Sequence, residues 1–94
     1  MRRDPVSREL REQVFARDQW ACVAPRLGAE TPCGGYLTLD HVQSGYGRMG
    51  KRAPSDAAHL ASICAAHHLW SGWATSHRPE LRAYLARVTT EARP

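Results

Sequence analysis

The sequence predicts a small α+β domain, on three observations. Apolar residues recur at helical spacing near both ends of the chain. Between them, Tyr36-Leu37-Thr38-Leu39-Asp40-His41-Val42 has the β-branched and aromatic content of a strand. The middle also holds all three cysteines and four of the five histidines, amid glycine and proline. With 94 residues the chain is one domain (1–94) with a thin apolar core, a size at which a metal or disulfide commonly acts as a staple.

The first helix is expected over about 4–17. Asp4 caps it, Pro5 occupies a first-turn position that needs no N–H, and Val6, Leu10 and Val14 form a stripe. Trp20-Ala21-Cys22-Val23 reads as a strand or the lead into one, opening a core of about 20–74. A breaker-rich loop with Pro25, Gly28, Pro32, Gly34 and Gly35 separates it from the strand at 36–42. Residues 43–54 carry three glycines and the cations Arg48, Lys51 and Arg52, and read as a functional loop. Asp56 to Ile63 is expected to turn into a second helical region, with the helix of the site over Ala65 to Trp73. A last helix over about 79–88 presents Leu81, Tyr84, Leu85 and Val88 to the core, with a dimer seam as the other use of that stripe. Trp70 and Trp73 are expected to pack rather than stack on bases, and His77 to cap or lie at the surface.

Composition bounds the function. The formal charge is +4, and twelve of the thirteen basic residues are arginine, whose planar fork suits phosphate; this permits a nucleic-acid partner and equally fits a plain soluble protein. No apolar run approaches the ~20 residues of a membrane span. The charged start lacks the apolar stretch of a signal peptide, so a cytoplasmic protein is expected. An odd cysteine count argues against a disulfide framework.

Two constellations carry chemistry. Cys22, Cys33, Cys64 and His67 offer three thiolates and an imidazole, a full tetrahedral set for Zn2+, and the C-x-x-H spacing of Cys64 and His67 lets one turn grip an ion. Four protein ligands close a site to substrate, so this zinc is structural. Asp40-His41, His59 and His68 form the second set. Hydrolysis of a phosphodiester needs an activated water and stabilised charge on phosphate; a neutral histidine serves the first and a divalent metal the second. Neighbours on a strand point to opposite sides, so Asp40 and His41 take different jobs.

In order and spacing these pieces resemble the HNH endonuclease family. The matching elements are Arg17-Asp18 leading to Cys22, then Cys33, Leu39-Asp40-His41-Val42, His59-Leu60 and Cys64-Ala65-Ala66-His67-His68, covering about residues 10 to 75. The resemblance implies a ββα-metal (His-Me finger) fold with flanking helices and a structural zinc site. It implies a DNA endonuclease in which His41 is the general base, while Asp40 and His68 hold one divalent metal such as Mg2+, Mn2+, Ni2+ or Co2+. The zinc positions fall on Cys22, Cys33, Cys64 and His67, with histidine in place of a fourth cysteine. His59 stands where the family has asparagine, and three roles stay open for it: supporting catalysis, ligating metal, or marking an inactive site. Arg48, Lys51 and Arg52 are expected to bind DNA phosphates with weak sequence preference. Short members of this kind occur in phage genomes, which implies packaging proteins as partners and a host-cytoplasm location. The chain is expected to act as a monomer or weak homodimer. The competing expectation is a non-catalytic zinc-stabilised module that binds DNA or protein.

Overall fold

The computed structural model describes residues 6–42 and 56–91. The Asp4 cap, the cations Arg48, Lys51 and Arg52 and the glycines of that loop lie outside the described residues. Helix α1 spans Arg8–Arg17, and its cap is Ser7, whose hydroxyl accepts the Leu10 N–H at 3.0 Å. Serine before a helical run satisfies an otherwise orphaned donor as aspartate would. Val14 and Phe15 are buried, so the inner face of α1 is narrower than the stripe predicts.

No strand forms at 20–23. Gln19 and Trp20 adopt left-handed backbone (φ 64 and 56), closing α1 through Trp20 N–H to Phe15 O at 2.7 Å. The chain then runs inward, where the Val23 N–H donates to Ser62 O at 2.9 Å before a 3-10 turn at Ala24–Leu27. The expected strand is present as β1, Leu37–His41.

The region after Asp56 departs most from expectation. A 3-10 turn, Ala57–His59, leads into a second strand, β2, Leu60–Cys64, where only a turn before the helix was expected. β2 pairs antiparallel with β1, with Asp40 opposite Ala61 and His41 opposite Leu60. All five β2 residues are buried, so it lacks the polar alternation that marks a half-exposed strand. The expected helix of the site is a π-helical turn, Ala66–Trp70, broken at Gly72 (φ 76) and followed by a four-residue helix α2, Trp73–Ser76. Helix α3 runs Arg78–Glu91, longer than expected at both ends.

The core gathers Val23, Val42, Ala61, Ile63, Ala74, Leu81, Tyr84 and Leu85, with Val88 packed against it. The α3 stripe therefore faces inward, which removes the dimer-seam use of that face. A buried clamp fixes α1 to β2 and α3. Asp18 is fully buried and accepts four hydrogen bonds: from Arg17 Nε and Nη2 (both 2.8 Å), Ser62 N–H (3.0 Å) and the Tyr84 hydroxyl. Arg17 also donates to Ala57 O and Leu60 O, both at 2.7 Å. Burial opposes ionisation of Asp18, but the bonds from Arg17, Tyr84 and Ser62 together outweigh it and hold the carboxyl below its ordinary value. Among the described residues no helix is long and apolar enough to cross a membrane.

Candidate metal centres

The first centre lies where the loop before β1 meets the end of β2. Cys64 closes β2, and the π-helical turn returns His67 beside it, with Sγ and Nδ1 3.1 Å apart. Cys22 and Cys33 reach the same nitrogen at 3.9 and 3.8 Å, and all four donor atoms lie within 4.8 Å of one another. Zinc bonds of ~2.3 Å to sulfur and ~2.0–2.1 Å to nitrogen imply tetrahedral S···N edges of about 3.5 Å, which these distances straddle. The quartet that the sequence singled out is thus assembled, and its geometry is compatible with zinc.

The surroundings fix the ligands. His67 Nε2 meets Thr31 Oγ1 at 2.9 Å and Thr31 O at 3.1 Å. The carbonyl can only accept, so Nε2 carries a proton, and a metal ion would take the place of any Nδ1 proton facing the sulfurs. Trp73 braces the ring edge-on at 5.9 Å and itself stacks on His77 at 4.4 Å. His77 Nδ1–H donates to Trp73 O at 2.8 Å, so His77 caps the short helix, as expected of it. Gly35 (φ 77) is required here: a Cβ would sit 2.9 Å from both Ala65 Cβ and the Trp70 ring. Trp70 covers this glycine turn yet stays 66% exposed, more open than the packing role expected of it.

The thiols divide the labour of binding. Burial raises the Cys64 thiol, but backbone hydrogen bonds from Gly34 and His67, then the His67 side chain, more than reverse this and bring it to about 6. Of the three thiols, Cys64 is thus the one that ionises most readily. Burial and the neighbouring sulfurs push Cys33 up to about 12, and burial raises Cys22 as well. Those two yield protons when metal arrives, so metal uptake releases protons.

The second centre lies on one face of β1. Thr38 and Asp40, two apart on the strand, both meet the His68 ring: Thr38 Oγ1 lies 2.6 Å from Nδ1 and Asp40 Oδ1 lies 3.3 Å from Nε2. The Thr38 hydroxyl hydrogen goes to Ile63 O at 2.6 Å, so the hydroxyl accepts from His68 Nδ1–H. In neutral His68 the Nε2 lone pair then points at a carboxylate oxygen. Two acceptors face each other across 3.3 Å, an arrangement that favours a cation or proton between them. Ligand bonds of ~2.0–2.2 Å span such an edge, so the pair fits one divalent ion.

Asp40 is 3% exposed, and its other oxygen accepts from Arg78 Nη1 at 2.5 Å. His41, the last residue of β1, is exposed, in keeping with alternation. His59 pairs through Nδ1 with Asp56 Oδ1 at 2.6 Å, and its carbonyl accepts the Val42 N–H at 2.7 Å. Among the described residues no third His, Cys, Asp or Glu donor joins Asp40 and His68, which weighs against His59 as a ligand there.

Sequence reasoning missed Arg78, Thr31 and Thr38. Each acts across at least 30 residues, and neither threonine stands in a pattern that marks it. The lead-in Arg17-Asp18 does have a sequence signal, and its work is structural. The chain matches no family model, no curated protein and no solved structure.

Proposed function

We propose that this chain is a metal-dependent DNA endonuclease of the HNH type, built on a ββα-metal site and stapled by a structural zinc. The observation that carries the reading is the Asp40–His68 pair, with the His68 tautomer set by Thr38, on a strand–strand–helical turn unit. A zinc module alone has no use for a buried carboxylate aimed at an imidazole lone pair.

In this reading Asp40 and His68 hold one divalent cation, which when bound neutralises charge on the scissile phosphate and stabilises the departing oxygen. His41, exposed at the end of β1, accepts a proton from water. The water oxygen bonds to phosphorus, the P–O bond to the leaving oxygen breaks, and that oxygen takes a proton from solvent while His41 returns its own to solvent. His59 serves as a supporting residue: its bond to Asp56 and its carbonyl on Val42 hold the turn opposite the His41 end of the strand. Arg48, Lys51 and Arg52 supply phosphate contacts, which position DNA without reading its sequence. Action in the cytoplasm beside phage packaging proteins follows from the resemblance alone.

The test is supercoiled-plasmid cleavage with Mg2+, Mn2+, Ni2+, Co2+ or Zn2+, comparing the wild type with His41→Ala. Cleavage by the wild type and loss in His41→Ala support the reading. Equal activity removes His41 as the base. No cleavage with any metal, in protein that retains zinc, leaves the non-catalytic zinc module.

A further inference from the structure

We propose that Arg78 makes divalent-metal loading at Asp40 and His68 depend on a bound phosphodiester. This rests on the reading of Asp40 and His68 as the metal pair.

The argument starts from charge. Arg78 opens α3, and its guanidinium reaches back to Asp40 Oδ2 while His68 faces Oδ1. One carboxylate is thus shared between an arginine and the imidazole. Asp40 and Arg78 cancel, and a His68 that presents its lone pair is neutral. Among the described residues, a dication approaching Oδ1 and Nε2 meets two protein ligands, a trio of Asp40, Arg78 and His68 with no net negative charge, and a cation on the far side of the same carboxylate. Such a site binds a free divalent ion weakly.

A phosphodiester changes each of these terms. It brings a negative charge and an oxygen that can ligate the metal. It also offers an acceptor to Arg78, which has five N–H donors and spends one on Asp40. The Arg78 side chain is 32% exposed, whereas that of Asp40 is 4% exposed, so the arginine is the partner within reach of solvent and of a polyanion. Once its charge is balanced by phosphate, Arg78 opposes the metal less. By linkage, DNA then raises metal affinity by the same factor that metal raises DNA affinity. The ion pair thereby keeps the hydrolytic centre largely unloaded until DNA is present.

The test measures Mn2+ affinity of the zinc-loaded chain, by titration calorimetry or by the Mn2+ electron-spin signal. It is run with and without a short DNA duplex, with binding to DNA alone subtracted. All proteins carry His41→Ala, so the duplex is not consumed. Arg78→Gln keeps an N–H for Asp40 and removes the charge, and Arg78→Lys keeps the charge. With Arg78 present, DNA is expected to tighten Mn2+ binding at least about tenfold. Arg78→Gln is expected to bind Mn2+ about tenfold tighter without DNA and to gain less than about threefold from it, while Arg78→Lys restores most of the coupling. The proposal is overturned if Arg78→Gln behaves like the parent, or if none of the proteins binds Mn2+ with or without DNA. A tether role for Arg78 predicts that first outcome, because glutamine preserves the contact. Plasmid cleavage by the wild type judges the nuclease reading separately. Coupling without cleavage sinks the nuclease and keeps Arg78; cleavage without coupling does the reverse.

Discussion

Replacing Asp18 by alanine should be among the most damaging changes outside the metal centres. The carboxylate is fully buried and accepts from Arg17 twice, from Ser62 N–H and from the Tyr84 hydroxyl. Alanine leaves the Ser62 N–H and the Tyr84 hydroxyl without an acceptor, each costing about 1–3 kcal/mol. The Arg17 guanidinium keeps its two carbonyl partners, Ala57 and Leu60, but loses its counter-charge. Breaking a buried ion pair from one side typically adds about 3–5 kcal/mol, so the expected total is at least about 5 kcal/mol. Against a total stability of roughly 5–15 kcal/mol, Asp18→Ala should be marginally folded. The assay is urea unfolding of zinc-loaded protein, where the midpoint should fall by at least roughly 2.5 M for a slope near 1–2 kcal/mol/M. Tyr84→Phe removes one of the four donors and should cost only about 1 kcal/mol. A fall of less than about 0.5 M for Asp18→Ala, with the slope unchanged, would refute the clamp.

Three further outcomes are expected. Removing zinc with a chelator, or substituting Cys64→Ser, should abolish cooperative unfolding, because binding energy of a structural zinc is folding energy; elemental analysis should find one zinc per folded chain. Stability should fall at both pH extremes: the Asp18 contribution is full above its unfolded value near 4 and is lost as pH drops through its lower folded value. The Tyr84 hydroxyl, raised to about 12 first by burial and then by Asp18, contributes fully below its ordinary value near 10 and loses that contribution as pH rises through 12; denaturation midpoints across pH check both limbs. Thr38→Val should weaken divalent-metal binding at Asp40 and His68 by about 10–100-fold while leaving zinc content unchanged, since it frees the His68 ring but touches no ligand of the first centre.

The Cys3His quartet was legible in the sequence because two of its members stand three apart and it takes in every cysteine of the chain. β1 was legible from its β-branched and aromatic content, and α3 from the helical spacing that follows from one buried face. β2 was not, since Leu60-Ala61-Ser62-Ile63-Cys64 is buried on both faces and its short apolar run carries no period. Asp40 and His68 were legible as members of one candidate set, and the resemblance assigned them to one metal; the strand register that aligns Thr38 and Asp40 with the His68 ring is a tertiary fact. Arg78 lies 38 residues from Asp40, and its position at a helix start suggested nothing beyond solvation. The Arg17-Asp18 pair was visible as a lead-in to Cys22, but its role needed Tyr84, which is 66 residues from Asp18.

The π-helical turn sends two consecutive histidines to different destinations, His67 to the sulfur cluster and His68 to the carboxylate on β1. A single peptide bond therefore links the Cys3His cluster to the Asp40–His68 pair. In the proposed reading, stripping the zinc would release His67, and with it the anchor that aims its neighbour. Inhibition by a general chelator would then report on both ions at once. Only a reagent that spares the thiolate-bound ion, or re-addition of one metal at a time, can say which loss silenced the protein.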